Sequence, residues 1–528
     1  MLDKFLASIA VAIIATSSTP ALARVTGDPV QIEGGKVEGR WAQNAEVKAY
    51  LGVPYAAPPV GELRWAEPKP VVAWDGVRKA DAQPAMCMQT LRTPGTISIE
   101  VYGNKNLPMS EDCLYLNVWA PANTSPSTKL PVFVWIHGGA YTSGAASKPE
   151  FNGERLAQKG MIVVSINYRL NIFGYFAHPD LTAESANHSS GNYGSLDQVA
   201  ALKWVEKNIA SFGGDPGKVT VGGQSAGAIS VNNLMASPLT EGLIDGGLAQ
   251  SGGVAAAPTK PLKTVEDEGR KFSRMIGDQS ISQLRAMPAE VLLSLWSDTK
   301  TRFAGPVVDG YFLKKSVNDV WAAGEQKQVP YFVGWSEDEF YENIYNRTEE
   351  EFVKEATKEV GQDRVAEMRT LYGVKDDATA TAARVGFTRD GNFGVNTWNA
   401  AADQAKGKAP TYLYYWTRKS PFWDGQSFQE NSPASLLGAY HGSQVPYVFG
   451  TLDLLDREFS DRDRELSALW QNYIANFVKT GNPNGGDLPE WPKFDNSAEQ
   501  VLDIGDKTTV VKLPNKPQME FFRKSATK

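Results

Sequence analysis

The pentapeptide Gly223-Gln224-Ser225-Ala226-Gly227 sets a hydroxyl between two glycines. A serine on a sharp strand-to-helix turn needs small neighbours, because the turn leaves little room for a Cβ on either side. Raised on such a turn, a serine with a base nearby is a nucleophile for acyl transfer. The same letters also describe an ordinary glycine-rich turn, so the context must decide. Lys218–Val221 reads as a short strand before the pentapeptide and Ala228–Ala236 as a helix after it, which is the required context. Further upstream, an apolar run from Lys129 to Ile136 ends in His137-Gly138-Gly139-Ala140. Acyl transfer develops negative charge on a carbonyl oxygen, and a glycine-rich turn after a strand can aim main-chain N–H groups at it. Gly139 and Ala140 are candidate donors, with the N–H of Ala226 as a third.

The elements that must position these groups alternate between strand and helix. Lys129–Ile136 and Met161–Asn167 read as central strands. Between Ser195 and Phe212 the apolar residues Val199, Leu202, Val205, Ile209 and Phe212 recur every three or four positions, with Ser195 and Gln198 spaced as a capping box. Gly213-Gly214 stops that helix, and Gly213 to Lys218 reads as a turn, the glycine spacing being one residue short of a phosphate loop. Val329–Gly334 and Thr411–Trp416 read as later strands. Such alternation implies an α/β protein with a large, mostly parallel sheet, helices on both faces, and ligands beyond the carboxyl ends of the strands.

The bulk numbers narrow the class. With 528 residues, 42% hydrophobic and 21% charged, the chain has globular composition and enough apolar residues for a large core. A net charge of -7 argues against a nucleic-acid partner, which needs a basic face. No repeat, low-complexity segment or linker divides the chain, so residues 24–528 are expected to form one domain. Residues 1–23 resemble a signal peptide: Lys4, an apolar run from Phe5 to Ala15, and Ala21-Leu22-Ala23. That run is too short for a bilayer, and no stable membrane insertion is expected. Export to the periplasm or medium would let the two cysteines, Cys87 and Cys113, bond, closing a loop of 26 positions; the alternative is two buried thiols. Two cysteines without a CxxC pair and four scattered histidines leave no zinc pattern, and the chemistry calls for no cofactor. Oligomeric state is left open.

Over nearly all of the mature chain, five blocks in order resemble the type-B carboxylesterases, which include cholinesterases and bacterial para-nitrobenzyl esterases within the α/β-hydrolase fold. They are Glu111–Asn117, Trp135–Gly139, Gly191–Gly194, Phe212–Pro216 and Gly222–Gly227. The resemblance implies a serine esterase with long insertions around the site. It makes Glu339, in Gly334-Trp335-Ser336-Glu337-Asp338-Glu339, the acid and His441, in Gly438-Ala439-Tyr440-His441-Gly442, the base. Glu337 and Asp338 remain competitors for the acid. The base follows the nucleophile in this fold, which leaves His178 and His188 as surface residues. The resemblance also implies a Cys87–Cys113 disulfide and the ion pairs Arg64–Glu111 and Arg169–Asp197.

Two positions depart from the family. Gln224 precedes the nucleophile where a glutamate is usual, and Gln444 replaces the glutamate usual three residues after the histidine. The paired change is either neutral drift or removal of negative charge beside the site. The second reading expects bulky neutral or anionic esters, including polycarboxylate esters of the fumonisin type, with choline esters disfavoured. Gln224, Gln444 and Tyr141 are the pocket candidates, Tyr141 with packing as its alternative role. Rival activities are a lipase or amidase with the same triad, or an inactive cholinesterase-like binding protein.

Overall fold

The computed structural model describes residues 26–525 except 44, 92, 94, 97–106, 255–258, 340–347, 424, 430–433 and 435–436. The expected signal peptide lies outside the described residues. Eleven strands form the main sheet: β1 (Arg40–Trp41), β2 (Val47–Pro54), β3 (Tyr115–Pro121), β4 (Leu130–Ile136), β5 (Ile162–Ile166), β6 (Gly214–Gln224), β7 (Gly246–Gln250), β8 (Tyr331–Ser336), β9 (Thr411–Trp416), β10 (Gln500–Ile504) and β11 (Thr508–Lys512). Their spatial order is β11-β10-β9-β8-β7-β6-β4-β5-β3-β2-β1. From β10 to β5 every neighbouring pair is parallel, and the strands beyond them pair antiparallel. This is the α/β-hydrolase fold expected from the sequence.

The parallel strands are buried on both faces, and β4 shows how. Val132, Val134 and Ile136 join one apolar cluster with residues of α1 (Tyr193–Asn208) and α2 (Ala226–Ala236). The alternate residues Phe133 and Trp135 join a second cluster with Trp470, Ile474 and Phe477 of α5 (Asp461–Thr480). The period of two thus sends adjacent side chains to opposite helical layers. Two shorter helices matter for the site, α3 (Val395–Gln404) and α4 (Val445–Phe449).

Several expected boundaries move for local reasons. Lys129 has φ 54°, so β4 starts one residue later. Pro330 has no N–H for a ladder, so β8 begins after it and runs to Ser336. The capping box is not formed: α1 starts at Tyr193, which leaves Ser195 and Gln198 inside the helix. Asn192, at its N-terminus, is instead engaged with the Val307 backbone through Nδ2 at 2.9 Å and Oδ1 at 2.8 Å. Gln198 Nε2 donates across to Ser230 Oγ at 3.0 Å, joining α1 to α2. Gly213, at φ 88°, ends the helical segment as expected. Of the turn read at Gly213–Lys218, Gly214–Lys218 is instead the irregular start of β6, whose register shifts between Gly214 and Val219.

The Cys87–Cys113 disulfide is present. Both resemblance-derived ion pairs are also formed and buried. Arg64 donates Nε to Glu111 Oε1 at 2.6 Å and Nη2 to Oε2 at 2.7 Å. Arg169 Nε and Nη2 bond Asp197 at 2.8 and 2.7 Å, with both side chains nearly inaccessible.

Candidate active site

At the carboxyl end of β6 the chain reverses into α2, and Ser225 sits on the corner with φ 57° and ψ -125°. That backbone conformation is costly for a non-glycine residue and is held by its surroundings. Ser225 N donates to Gln250 O of the adjacent β7 at 2.8 Å. The flanking glycines have a measurable reason. A Cβ on Gly223 would lie 2.4 Å from the carbonyl carbon of Gly227, and one on Gly227 would lie 2.0 Å from Ile136 O. The serine itself remains half-exposed between buried neighbours.

The turn after β4 passes directly over this corner, since a Cβ on Gly138 would be 2.7 Å from Gln224 O and 3.0 Å from Ser225 Cβ. Gly139 has φ 113° and Ala140 φ 54°, and Thr142 N and Ser143 N both donate to Gly139 O at 3.0 Å. Among the described residues, no main-chain carbonyl takes the N–H of Gly139 or Ala140. Ala226 is the first residue of α2, so its N–H has no acceptor within the helix. Gly139 and Ala140 thus follow the glycine that packs on the Ser225 corner, and Ala226 follows Ser225 directly. Gln89 fixes the far end of the turn, its amide accepting from Gly144 N and donating to Gly144 O, both at 2.9 Å. His137 is buried, stacked on Tyr168 at 4.5 Å, with Nδ1 2.8 Å from Gly138 O. Desolvation lowers its pKa to about 4, which keeps it neutral near pH 7.

Beyond β8, Glu339 folds back so that Ser336 N donates to its Oε1 at 2.6 Å, while its Oε2 lies 2.5 Å from His441 Nδ1. Carboxylate and imidazole are both buried. The competing acids point elsewhere: Asp338 Oδ2 accepts from Ala439 N at 2.8 Å, and Glu337 is pushed up in pKa chiefly by its own burial. With Nδ1–H given to Glu339, the other ring nitrogen is an acceptor. Gln224 meets it, its amide Nε2 3.1 Å from His441 Nε2. Phe393, from the helical turn leading into α3, covers the imidazole with ring centroids 4.8 Å apart. His178, expected at the surface, is buried and caps the helix Pro179–Glu184, accepting from Asp180 N at 3.2 Å, while His188 is exposed as expected.

A cavity opens beside these groups, lined among others by His137, Gly138, Gln224, Tyr440 and Gly442. Of the three pocket candidates only Gln224 lines it. Tyr141 turns away: its hydroxyl accepts from Ser230 at 3.4 Å and Asn233 at 3.3 Å on α2, and its ring meets Tyr175 edge-on, so it packs the turn onto the helix. Gln444 is fully buried at the start of α4, accepting from Ser336 Oγ at 3.2 Å and donating to Ser251 Oγ at 3.0 Å. It braces the loop that carries Glu339. Lys148, Arg457, Gln89 and Phe393 were not picked out from sequence. They lie in loops or turns whose composition carries no periodic or spacing signal.

A sheet of this order, with a serine raised at the end of β6 between glycines that admit no side chain, defines an α/β-hydrolase. Known proteins narrow that class to one family. The carboxylesterase family profile matches residues 27–522, and the chain belongs to that family. It is 33% identical to the cocaine esterase of Homo sapiens over 96% of this chain and 92% of that one. To the fumonisin B1 esterase of Sphingopyxis macrogoltabida it is 34% identical, over 95% of this chain and 90% of that protein. A PNB esterase structure superposes with a TM-score of 0.78 at 31% identity, covering 94% of this chain and all of that one. The chain is a carboxylic ester hydrolase.

Proposed function

We propose that Ser225, His441 and Glu339 form the catalytic triad of this esterase, with Gly139, Ala140 and Ala226 as its oxyanion donors. The observation that carries the reading is the 2.5 Å contact between His441 Nδ1 and Glu339, which turns Nε2 away from the carboxylate and towards Gln224, the residue that precedes the strained, half-exposed Ser225. Ser225 Oγ attacks the ester carbonyl carbon while its proton passes to His441 Nε2, and Glu339 stabilises the imidazolium. The carbonyl oxygen becomes an oxyanion facing the three N–H groups. The tetrahedral intermediate collapses, the C–O bond breaks, and the alcohol leaves with the proton from Nε2. Water then repeats the sequence on the acyl-enzyme, giving the acid and free Ser225. The residues from 24 onward act as one domain, and export is part of the reading, supported by the Cys87–Cys113 disulfide.

The substrates are bulky neutral or anionic esters, polycarboxylate esters of the fumonisin type among them. Support comes from the neutral Gln224 on the cavity wall and from the 34% identity to a fumonisin B1 esterase. Hydrolysis of nitrophenyl, aromatic, amide and polycarboxylate substrates by wild type and Ser225→Ala tests the assignment. The variant should lose roughly 10⁴-fold or more in kcat with its fold intact, the scale seen when a triad nucleophile is removed. Equal turnover by both proteins overturns it.

A further inference from the structure

The turn that carries Gly139 and Ala140 is held by a residue from outside the sheet. Gly144 closes that turn: a Cβ on it would lie 2.3 Å from His137 Nδ1 and 2.5 Å from Gly138 O, so its backbone rests on the two residues where the turn begins. Gly138 in turn packs on the Ser225 corner. Gln89 is buried and holds Gly144 by both main-chain groups. Its Oε1 accepts from Gly144 N at 2.9 Å, while Nε2 donates to Gly144 O at 2.9 Å and to Cys87 O at 3.0 Å. Reversing the amide would set N–H against N–H and oxygen against two carbonyls, so the partners fix its orientation.

The segment that bears Gln89 is itself anchored. Cys87, two residues earlier, is bonded to Cys113, which stands two residues before β3 of the main sheet. Met86 N donates to Pro108 O at 2.9 Å. Asn171 ties the segment to the same turn a second time, giving Nδ2 to Met88 O and its main-chain N to Tyr141 O, each at 2.7 Å. A series of contacts therefore runs from β3 through the disulfide, Gln89 and Gly144 to Gly138 and Ser225.

We infer that Gln89 is a positioning residue for the oxyanion donors and that the Cys87–Cys113 disulfide supports turnover through it. Donors stabilise a developing oxyanion to the extent that they are in place before the charge forms. Gly139 and Ala140 lie between two packed glycines, Gly138 and Gly144, so releasing Gly144 loosens the backbone that presents their N–H groups. The ground-state ester gains little from those donors, so the loss falls on kcat and not on KM. This rests on the oxyanion reading above and names what holds those donors in place.

The test compares the full-length wild type, Gln89→Met, the disulfide-free variant Cys87→Ala/Cys113→Ala, and the three changes combined. Each is titrated with diethyl para-nitrophenyl phosphate: Ser225 Oγ bonds to phosphorus, nitrophenolate leaves, and the released dye counts competent sites. The kcat for para-nitrophenyl butyrate is then expressed per titrated site, so a preparation that folds only in part still gives a reading. Methionine keeps the length of the side chain and removes all three hydrogen bonds. Gln89→Met should lower kcat per site about tenfold or more, short of the 100-fold or more that follows outright deletion of a donor, with KM changed by less than about threefold. Affinity for a trifluoromethyl ketone, whose adduct with Ser225 places an oxyanion at the same donors, should fall by a similar factor. Removing the disulfide should lower kcat per site in the wild type but by less than about twofold in the Gln89→Met background, because one strut carries both effects. Gln89→Asn, whose amide sits one methylene short, gives the same reading if Gln89→Met yields no competent sites. A kcat per site within about twofold of wild type, or a fall that the ketone affinity does not share, overturns the positioning role. Independent, multiplicative effects of the two changes overturn the route through the disulfide. A wild type that releases no dye, or equal release by Ser225→Ala, overturns the esterase reading instead.

Discussion

Replacing Gln224 with glutamate exchanges an amide for a carboxylate of nearly the same shape, so its effect is almost purely electrostatic. Gln224 is 4% exposed and lines the cavity, so the substitution adds one negative charge to that wall. At an effective dielectric of 20, one charge about 7 Å from a substrate charge is worth roughly 2 kcal/mol, or about thirty-fold in binding. The sign is opposite for the two substrate charges: an anionic ester loses and a cationic ester gains. Their ratio of kcat/KM should therefore shift by up to about a thousand-fold towards the cationic ester, less where solvent screens the cavity. The carboxylate also cannot donate to His441 Nε2, as the amide does at 3.1 Å. Whatever that loss does to the proton transfer is common to both esters and cancels in the ratio. The assay pairs a trimethylammonium-ethyl ester with a carboxyethyl ester of the same acid, at pH 8 so that the new carboxyl is ionised. A ratio that stays within twofold of wild type refutes the electrostatic reasoning.

Two further outcomes concern stability. Asp197→Asn leaves Arg169 as a buried unpaired charge and should cost about 3 kcal/mol or more, read as a lower urea midpoint at unchanged m-value; a midpoint equal to wild type would contradict the buried pair. His137 titrates near 6.5 in the unfolded chain but only at about 4 when folded, so between those values protons favour the unfolded state. Its contribution, on the order of 3 kcal/mol, is complete above pH 6.5 and is lost as pH falls towards 4. His137→Gln should flatten that part of the stability-versus-pH curve, and an identical slope in wild type and variant counts against the assignment.

The sequence was most legible where geometry demands one residue type. Gly223 and Gly227 were readable because no Cβ fits beside Ser225, and the continuous apolar run of β4 was readable because each of its faces is buried under its own helical layer. Glu339 needed the family resemblance: its two acidic neighbours are chemically equivalent, and only the backbone path after β8 brings one of the three to His441. Tyr141 and Gln444 were pocket candidates because both adjoin site residues in sequence; their side chains turn into buried hydrogen-bond networks, which for Tyr141 is the packing role given as its alternative. The cap of α1 failed for a similar reason, since Asn192 is committed to a strand remote in sequence. Lys148 and Arg457 had no local signature at all. The fold brings them, 309 positions apart by their numbers (457 - 148), to the lining of one cavity.

The close approach of Gly138 to the Gln224 backbone, and of Gly227 to Ile136, has a meaning for how such an enzyme can diverge. Two chain reversals that touch through main-chain atoms cannot be retuned one at a time; a shift in either would be transmitted to the other at once. The groups around Ser225 thus behave as one rigid casting inherited whole. Novelty in what the enzyme accepts has to arrive by exchanging side chains on the surrounding walls, and in this chain the wall bearing Lys148, Gln224 and Arg457 is where such an exchange can be read.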